Sequence, residues 1–455
     1  MNRSFIFSLL LCLPLVAFGF YGKRSTEAEL VFQAQVDVPL ADSVSLQDLN
    51  RNGRARSEAL ALIDAQAQHL MGSFQARSFR DQFGYPGVLG ERYEIKFNDI
   101  KEIASEDSNR KMLFYEFKGT VVFHKDAFKN SATRVVPIVL PLAPDKIYAL
   151  GVVDGKNTCT DEHYNSEGDF WYFWDPEQSG CPLAGDTENI LHTKGKLKRL
   201  PNTRASYPEY DRLYGDNGND EVLNIAVFFG YFEDVTNFQK VNPHDSAFDA
   251  FNFLESNLLE KRGFTVKESK DDFQVLNGKK TTKGINTFRA YEKQEFFKKQ
   301  PVTVRVQVLV ADTAIDSKDG TFHRYLKAAL RSADILIYDG HSGLGGNLDL
   351  KELKGERFDK NKYQILFFNG CSSYPYFNGM FFNAKGGSQN LDILTSGLPT
   401  FSNTAGPNVV AFLNHFIEVN TKTYQKILTE LEDSNAEEGT YLTGVNGDED
   451  NKWKP

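Results

Sequence analysis

The sequence predicts an α/β protein in which a C-terminal domain builds a mostly parallel sheet with helices on both faces, preceded by a small α+β domain. Three observations carry this expectation. Residues 335–338 and 363–368 are largely apolar and too short for helices, as expected of strands buried on both faces. Phe322, Tyr325, Leu326, Ala329 and Leu330 recur at helical spacing just before the first of these runs, so that strands and helices alternate. Nearer the N-terminus a single amphipathic helix is followed by three strand-like stretches without such alternation, the pattern of an α+β unit.

Taken in order, residues 1–19 read as a secretory signal peptide. Arg3 precedes an apolar run from Phe5 to Phe18 broken by Ser8 and Pro14, and the small residues Ala17 and Gly19 stand three and one before a cut after Gly19. Residues 20–54 show little periodicity and are expected to be a leader or linker. The small α+β domain is placed at 55–155. Leu60, Ile63, Ala67, Leu70 and Met71 mark its helix, with His69 as a half-exposed member, and residues 93–103, 112–124 and 134–140 are its strands. Residues 156–220 read as a disulfide-stapled aromatic loop and linker. Five consecutive aromatics, Phe170 to Trp174, are expected to pack against the neighbouring domain. Asp161, Glu162 and His163 are too close in sequence to converge on a metal. Residues 216–221 have the oxygen-rich look of a calcium loop but lack the full spacing, and read as a solvated turn.

The α/β domain is placed at 221–430. It opens with a strand at 222–232 and a helix capped at Ser246, which carries Phe248, Phe251, Leu254, Leu258 and Leu259 on one face and stops at Gly263. Residues 268–300, with the basic pair Lys279-Lys280, look irregular and are expected to form a flap or cleavable linker. A strand at 302–310 follows. A late helix starts at Pro407, and 431–455 is expected to be an acidic polar tail.

The chemistry sits at the ends of the two apolar runs. The first opens into Asp339-Gly340-His341-Ser342-Gly343 and the second into Asn369-Gly370-Cys371-Ser372-Ser373. Carboxyl ends of neighbouring parallel strands face one crevice, which brings His341 and Cys371 together although they lie 371 − 341 = 30 residues apart. The glycines at 343, 345 and 346 leave room for a substrate backbone.

This order, an apolar strand ending in His and a second ending in Cys, resembles the cysteine peptidases of the caspase-like fold, the group of caspases, legumains, clostripain and gingipains. The resemblance covers roughly residues 220–430 and rests on two short motifs. Ser342 stands where these families usually have Gly, and Gly370 where they often have Ala. The resemblance implies a caspase-like sheet and a polypeptide substrate. It also implies a catalytic dyad in which Cys371 attacks the scissile carbonyl and His341 protonates the leaving amine. The oxyanion would be held by the backbone amides of Ser342 and Cys371, helped by Gly343. Neither a metal nor a cofactor is implied.

Composition narrows the alternatives. A net charge of 52 − 61 = −9 disfavours nucleic acid and anionic lipid as partners. Past the N-terminal run no stretch is long and apolar enough to span a bilayer, so no stable membrane insertion is expected after signal removal. Signal removal takes Cys12 with it. Cys159 and Cys181 flank one loop and are natural partners in an oxidising compartment, periplasmic or secreted, which leaves Cys371 as a candidate reactive thiol. A serine-hydrolase elbow is excluded because Asn369 and Ser373 occupy the positions where that motif needs Gly. A dithiol redox centre is excluded by the lack of Cys-x-x-Cys. The surviving second reading is a non-catalytic binding protein on the same scaffold.

Overall fold

The computed structural model describes residues 19–20, 22–103, 110–201, 205–216, 221–233, 235, 241–343, 345–351, 353, 358–434 and 442–455. Residues 1–18 of the expected signal peptide 1–19 and residues 217–220 of the calcium-like turn lie outside them, while Gly19, the last residue of that expected peptide, is described. The chain divides into two compact units, one of residues 26–201 and the other of residues 202–455 joined by the short segment that ends at Ser25.

The N-terminal unit is an α+β fold. Its elements are β1 (Ser25–Pro39), α1 (Leu46–Asn50), α2 (Arg54–Gln75), α3 (Arg77–Phe83), β2 (Gly87–Glu102), β3 (Arg110–His124), β4 (Thr133–Pro141), α4 (Ile147–Leu150), the short ribbon β5 (Val152–Val153) and β6 (Lys156–Asn157), and β7 (Ile190–Leu200). Five strands form one sheet in the order β2-β3-β1-β7-β4. The expected leader therefore supplies the central strand, and the expected linker supplies β7. Both alternate buried and exposed residues, but charged side chains such as Glu29, Lys194 and Lys196 on the open face obscure that pattern in the sequence.

Gln66 fixes α2 on this sheet. Its buried amide donates to the carbonyls of Gln35 (3.0 Å) and Pro141 (2.6 Å) and accepts from the Tyr115 hydroxyl, tying three strands to one helical residue. His69, expected to be half-exposed, is buried. Its Nδ1 donates to the Ala65 carbonyl at 2.8 Å and its ring meets Phe170 and Trp174 edge-on at 5.0 Å. Burial pulls its pKa down to about 4, so the ring is a neutral core group. The aromatic run thus packs onto α2 of its own unit rather than onto another domain. Cys159 and Cys181 form the expected disulfide, closing a loop of sequence separation 22.

The C-terminal unit contains β8 (Val222–Gly230), α5 (Ser246–Leu254), β9 (Thr265–Leu276), β10 (Lys279–Phe297), β11 (Gln300–Ala311), α6 (Thr321–Ser332), β12 (Ile335–Asp339), β13 (Gln364–Asn369), α7 (Tyr374–Lys385), β14 (Leu391–Ser396), α8 (Ala405–Ile417), α9 (Tyr424–Ser434) and β15 (Thr443–Asn446). Its eight strands run β15-β14-β13-β12-β8-β11-β10-β9. The pairings among β11, β8, β12, β13 and β14 are parallel, whereas β15, β10 and β9 pair antiparallel. The sheet is therefore mixed rather than mostly parallel, with its parallel part at the centre.

Alternation along the central strands assigns the two faces. Ile335, Ile337, Ile365 and Phe367 join one core with α5, α8 and α9. Leu336, Tyr338, Leu366 and Phe368 join the other with α6 and α7. With both faces covered, Ile335–Tyr338 and Ile365–Phe368 are apolar on both sides and the runs read as continuous.

Residues 268–300 are a β-meander, not a flap. Asn277-Gly278 and Lys298-Lys299 make two-residue turns with positive φ at every position, the geometry that matches strand twist. Lys279 and Lys280 are paired within β10 opposite Leu276 and Val275. The edge strand β9 exposes nearly all of residues 265–272, and its mixed charges discourage pairing with other chains.

At the opposite edge the chain's beginning is stitched to its end. Val445 N–H donates to the Gly19 carbonyl at 2.8 Å, and Phe20 lies buried against Gly444 and edge-on to Tyr374 at 5.1 Å. The buried Glu432 carboxylate accepts from Arg24 N (2.6 Å), Ser25 N (3.1 Å) and Ser25 Oγ (2.6 Å), while Lys23 and Arg24 pair with Asp433. Residues 431–434 and 442–455 of the expected tail are thus integral to the unit. Helix α5 is capped by Asp245, one residue before the expected Ser246.

Two stability measurements follow from this architecture. Cys181→Ala should lower the stability of the N-terminal unit by about 3 kcal/mol, the closure entropy of a loop this long; denaturant unfolding followed by Trp171 and Trp174 fluorescence reads it. Glu432→Ala strands three buried donors and should cost the C-terminal unit about 2–4 kcal/mol, seen as an earlier transition at Trp453.

Candidate functional site

The register of the two central strands places the site. Asp339 is the Cα partner of Asn369 across β12 and β13, so His341 and Cys371 each stand two residues beyond a matched pair. Neighbouring strands lie about 4.8 Å apart, and the loops stay in touch after the strands end. A Cβ built on Gly370 would lie 3.0 Å from the Gly340 carbonyl oxygen and 3.5 Å from the amide nitrogen of Ser342. Gly340 itself has φ +155° and backs onto Gly230 at the end of β8, an approach that a side chain would block.

His341 is exposed, and its ring is held from one side. Nε2 lies 2.9 Å from the Phe232 carbonyl oxygen, and the Phe232 ring meets the imidazole edge-on at 5.7 Å. A carbonyl only accepts, so Nε2 carries the proton and Nδ1 is left as the acceptor nitrogen. Phe232 is fixed in turn by the buried Asp245 carboxylate, which accepts from Phe232 N (3.1 Å), Glu233 N (2.9 Å) and Ala247 N (2.8 Å). One carboxylate therefore caps α5 and sets the carbonyl that orients the imidazole. The His341 carbonyl is anchored separately by the Tyr338 hydroxyl at 2.6 Å and Asn347 Nδ2 at 2.8 Å.

Among the described residues Cys371 is the free cysteine, and it is half-buried. Its Sγ sits 3.6 Å from the Thr400 carbonyl oxygen and 3.7 Å from Thr400 Oγ1, on the loop after β14. The turn behind it is fully braced. Ser372, with φ +47°, donates its N–H to the Leu398 carbonyl at 3.1 Å. Ser373 Oγ donates to the Phe368 carbonyl at 2.6 Å and accepts from Ser396 N at 2.8 Å. Pro375 stands in the first turn of α7, where a missing N–H costs nothing.

The amide groups of Ser342, Gly343 and Cys371 reach no hydrogen-bond acceptor among the described residues, whereas Gly345, Gly346 and Asn347 donate back into the turn. The loops that carry His341, Ser342, Gly343 and Cys371 thus leave the same end of the sheet, with the imidazole held by Phe232 and the thiol against Thr400. Asp339 does not turn toward His341. It is buried and accepts from Asn369 Nδ2 at 2.5 Å, so these two do not form a metal pair. Among the described residues no three His, Cys, Asp or Glu side chains gather to hold a metal. Asp161 and His163 form an exposed pair in the disulfide loop.

Sequence reasoning missed Phe232, Asp245 and Thr400, which come from loops 109, 96 and 29 residues away from the side chains they serve, directly or through Phe232. Those distances give no local signal. The Asp339–Asn369 contact did leave one, because each apolar run ends on a polar residue two places before the reactive one. Comparison with models of protein families, with curated proteins and with solved structures finds no match.

Burial raises the Asp339 pKa to about 7, opposed by the Asn369 hydrogen bond. The folded protein therefore favours its neutral form. Its contribution to stability is complete below the unfolded value of about 4 and is lost as pH rises through 7, on the order of 4 kcal/mol. Asp392, raised to about 8 by burial with the charge of Asp448 adding to it, acts in the same direction. Denaturation midpoints of the C-terminal unit should fall between pH 4 and pH 8, and Asp339→Asn should flatten part of that slope.

Proposed function

We propose that the protein is a cysteine peptidase of the caspase-like kind, hydrolysing peptide bonds through His341 and Cys371. The observation that carries this reading is the placement of His341 and Cys371 two residues past the paired strand ends, beside amides with no acceptor among the described residues. A central parallel sheet covered by helices on both faces is consistent with that scaffold.

In this mechanism Cys371 Sγ bonds to the scissile carbonyl carbon, and the thiol proton passes to His341 Nδ1. The carbonyl π electrons move onto oxygen, which the open amides of Ser342, Gly343 and Cys371 stabilise, a role worth about 3–4 kcal/mol per donor. As the C–N bond breaks, His341 gives its proton to the departing amine. Water then adds to the thioester with His341 as base, releasing the acid and restoring the thiol. The Phe232 carbonyl keeps the imidazole in the tautomer that leaves Nδ1 for these transfers. Action in an oxidising compartment, periplasmic or secreted, is part of the proposal, and the Cys159–Cys181 disulfide supports it.

Labelling with a thiol-reactive peptidyl probe at neutral pH tests the reading. Cys371 should be the labelled residue, Cys371→Ala should abolish labelling, and His341→Ala should slow it about 100-fold. Labelling that is slow and indifferent to His341 would remove the peptidase and leave a binding scaffold.

A further inference from the structure

Behind the two reactive side chains runs a chain of buried polar groups that the mechanism above does not use. Asn369 Nδ2 donates to Asp339 Oδ2 at 2.5 Å. Asn369 Oδ1 accepts from Asn408 Nδ2 at 3.3 Å, and Asn408 Oδ1 accepts from Ser434 Oγ at 2.8 Å. Asp339, Asn369 and Asn408 are all nearly inaccessible to solvent. The chain passes from the end of β12 to the end of β13, then into α8 and the last turn of α9.

Its placement is unusual for a sheet interior. Between the first residue of β13, Gln364, which bonds Lys385 of α7, and the pair at 339 and 369, the positions of both strands are filled by Ile, Leu, Phe and Tyr. Backbone pairing sets only the register. It does not set how far the chain ends splay once the ladder stops, which happens at this pair. A side-chain hydrogen bond between the last partners of the ladder closes the strand ends together just before Gly340 and Gly370, where the backbone would otherwise be free to diverge.

We propose that Asp339 and Asn369 are positioning residues, a cross-strand clamp that sets the separation of His341 and Cys371. The proposal rests on the dyad reading but deepens it, since it names what holds the two groups at working distance. The clamp needs one donor and one acceptor across the pair, not a charge. Asp339→Asn keeps the acceptor at 339, and the reciprocal exchange of the two residues, D339N/N369D, keeps the bond with its direction reversed, the amide now at 339 donating to the carboxylate now at 369.

Two readouts separate this proposal from the peptidase reading. The first is the rate of Cys371 labelling by the peptidyl probe. D339A and N369A should each slow it tenfold or more, while D339N and D339N/N369D stay within about threefold of the parent. Adding D339A to His341→Ala should cause little further loss. The second readout does not involve catalysis. In a His341→Cys background, the ease of disulfide formation between positions 341 and 371 in a glutathione buffer reports their separation. Residues able to bridge have Cα atoms about 4.4–6.8 Å apart, so splayed strand ends should lower the bridging constant tenfold in D339A and N369A and leave it unchanged in D339N.

Thermal unfolding of every variant is recorded alongside, and N369S replaces any alanine variant that does not fold. If labelling depends on His341 but the folded clamp variants label and bridge like the parent, the clamp is wrong and the peptidase reading stands. If labelling ignores His341 while bridging still depends on 339 and 369, the clamp stands and the peptidase reading falls.

Discussion

Strands β12 and β13 are covered on both faces, and that double burial is the constraint on which the C-terminal unit depends. Odd and even residues of each strand enter different cores. A slip of one residue would exchange the two sets, driving Ile337 and Phe367 into the space shaped for Tyr338 and Phe368, so the register has no close competitor. The consequence reaches the surface, because the pair Asp339–Asn369 can face each other only in this register and His341 and Cys371 inherit their alignment from it. The placement of the site is thus a by-product of core packing rather than of contacts between the reactive groups themselves.

Around that fixed pair the supporting contacts come from separate loops, each locked by its own hydrogen bonds. Asp245 acts through Phe232 on the imidazole, Ser373 braces the turn that carries the thiol, and Thr400 lies against the sulfur. Their energies are of the ordinary size for buried hydrogen bonds, about 1 kcal/mol each net. What they contribute is orientation, since each removes a rotation that would carry a reactive atom away from the crevice.

The sequence made the central strands and the strand ends that carry His341 and Cys371 legible, because burial on two faces writes itself as an apolar run ending in small polar residues. Strands with one face open were harder. In β1 and β7 the interior residues alternate with charged ones, and in β9 nearly every residue of the first half is exposed, which removes the apolar signal although Asn277-Gly278 marks a hairpin turn. Segment β15 is four residues long, and its place in the sheet is set by pairing with β14 rather than by its composition. His69 shows the converse limit, for its burial comes from Phe170 and Trp174, a hundred residues further along the chain. Phe232 and Thr400 act on the site through backbone carbonyls, which no side-chain pattern records.

The seam between residues 19–25 and the C-terminal elements makes the N-terminal unit, in chain topology, an insertion within the other. On a ribosome the first unit has all its residues by Pro201 and can close while synthesis continues. The second must wait, because the seat for Phe20 is built partly from Gly444 and that for Ser25 from Glu432. Residues 19–25 are thus held in suspense until residues 432–445 emerge. Any fragment that ends before α9 and β15 would leave the segment 19–25 without its seat and a sheet edge open, so proteolysis that removes those two elements should release that segment as well.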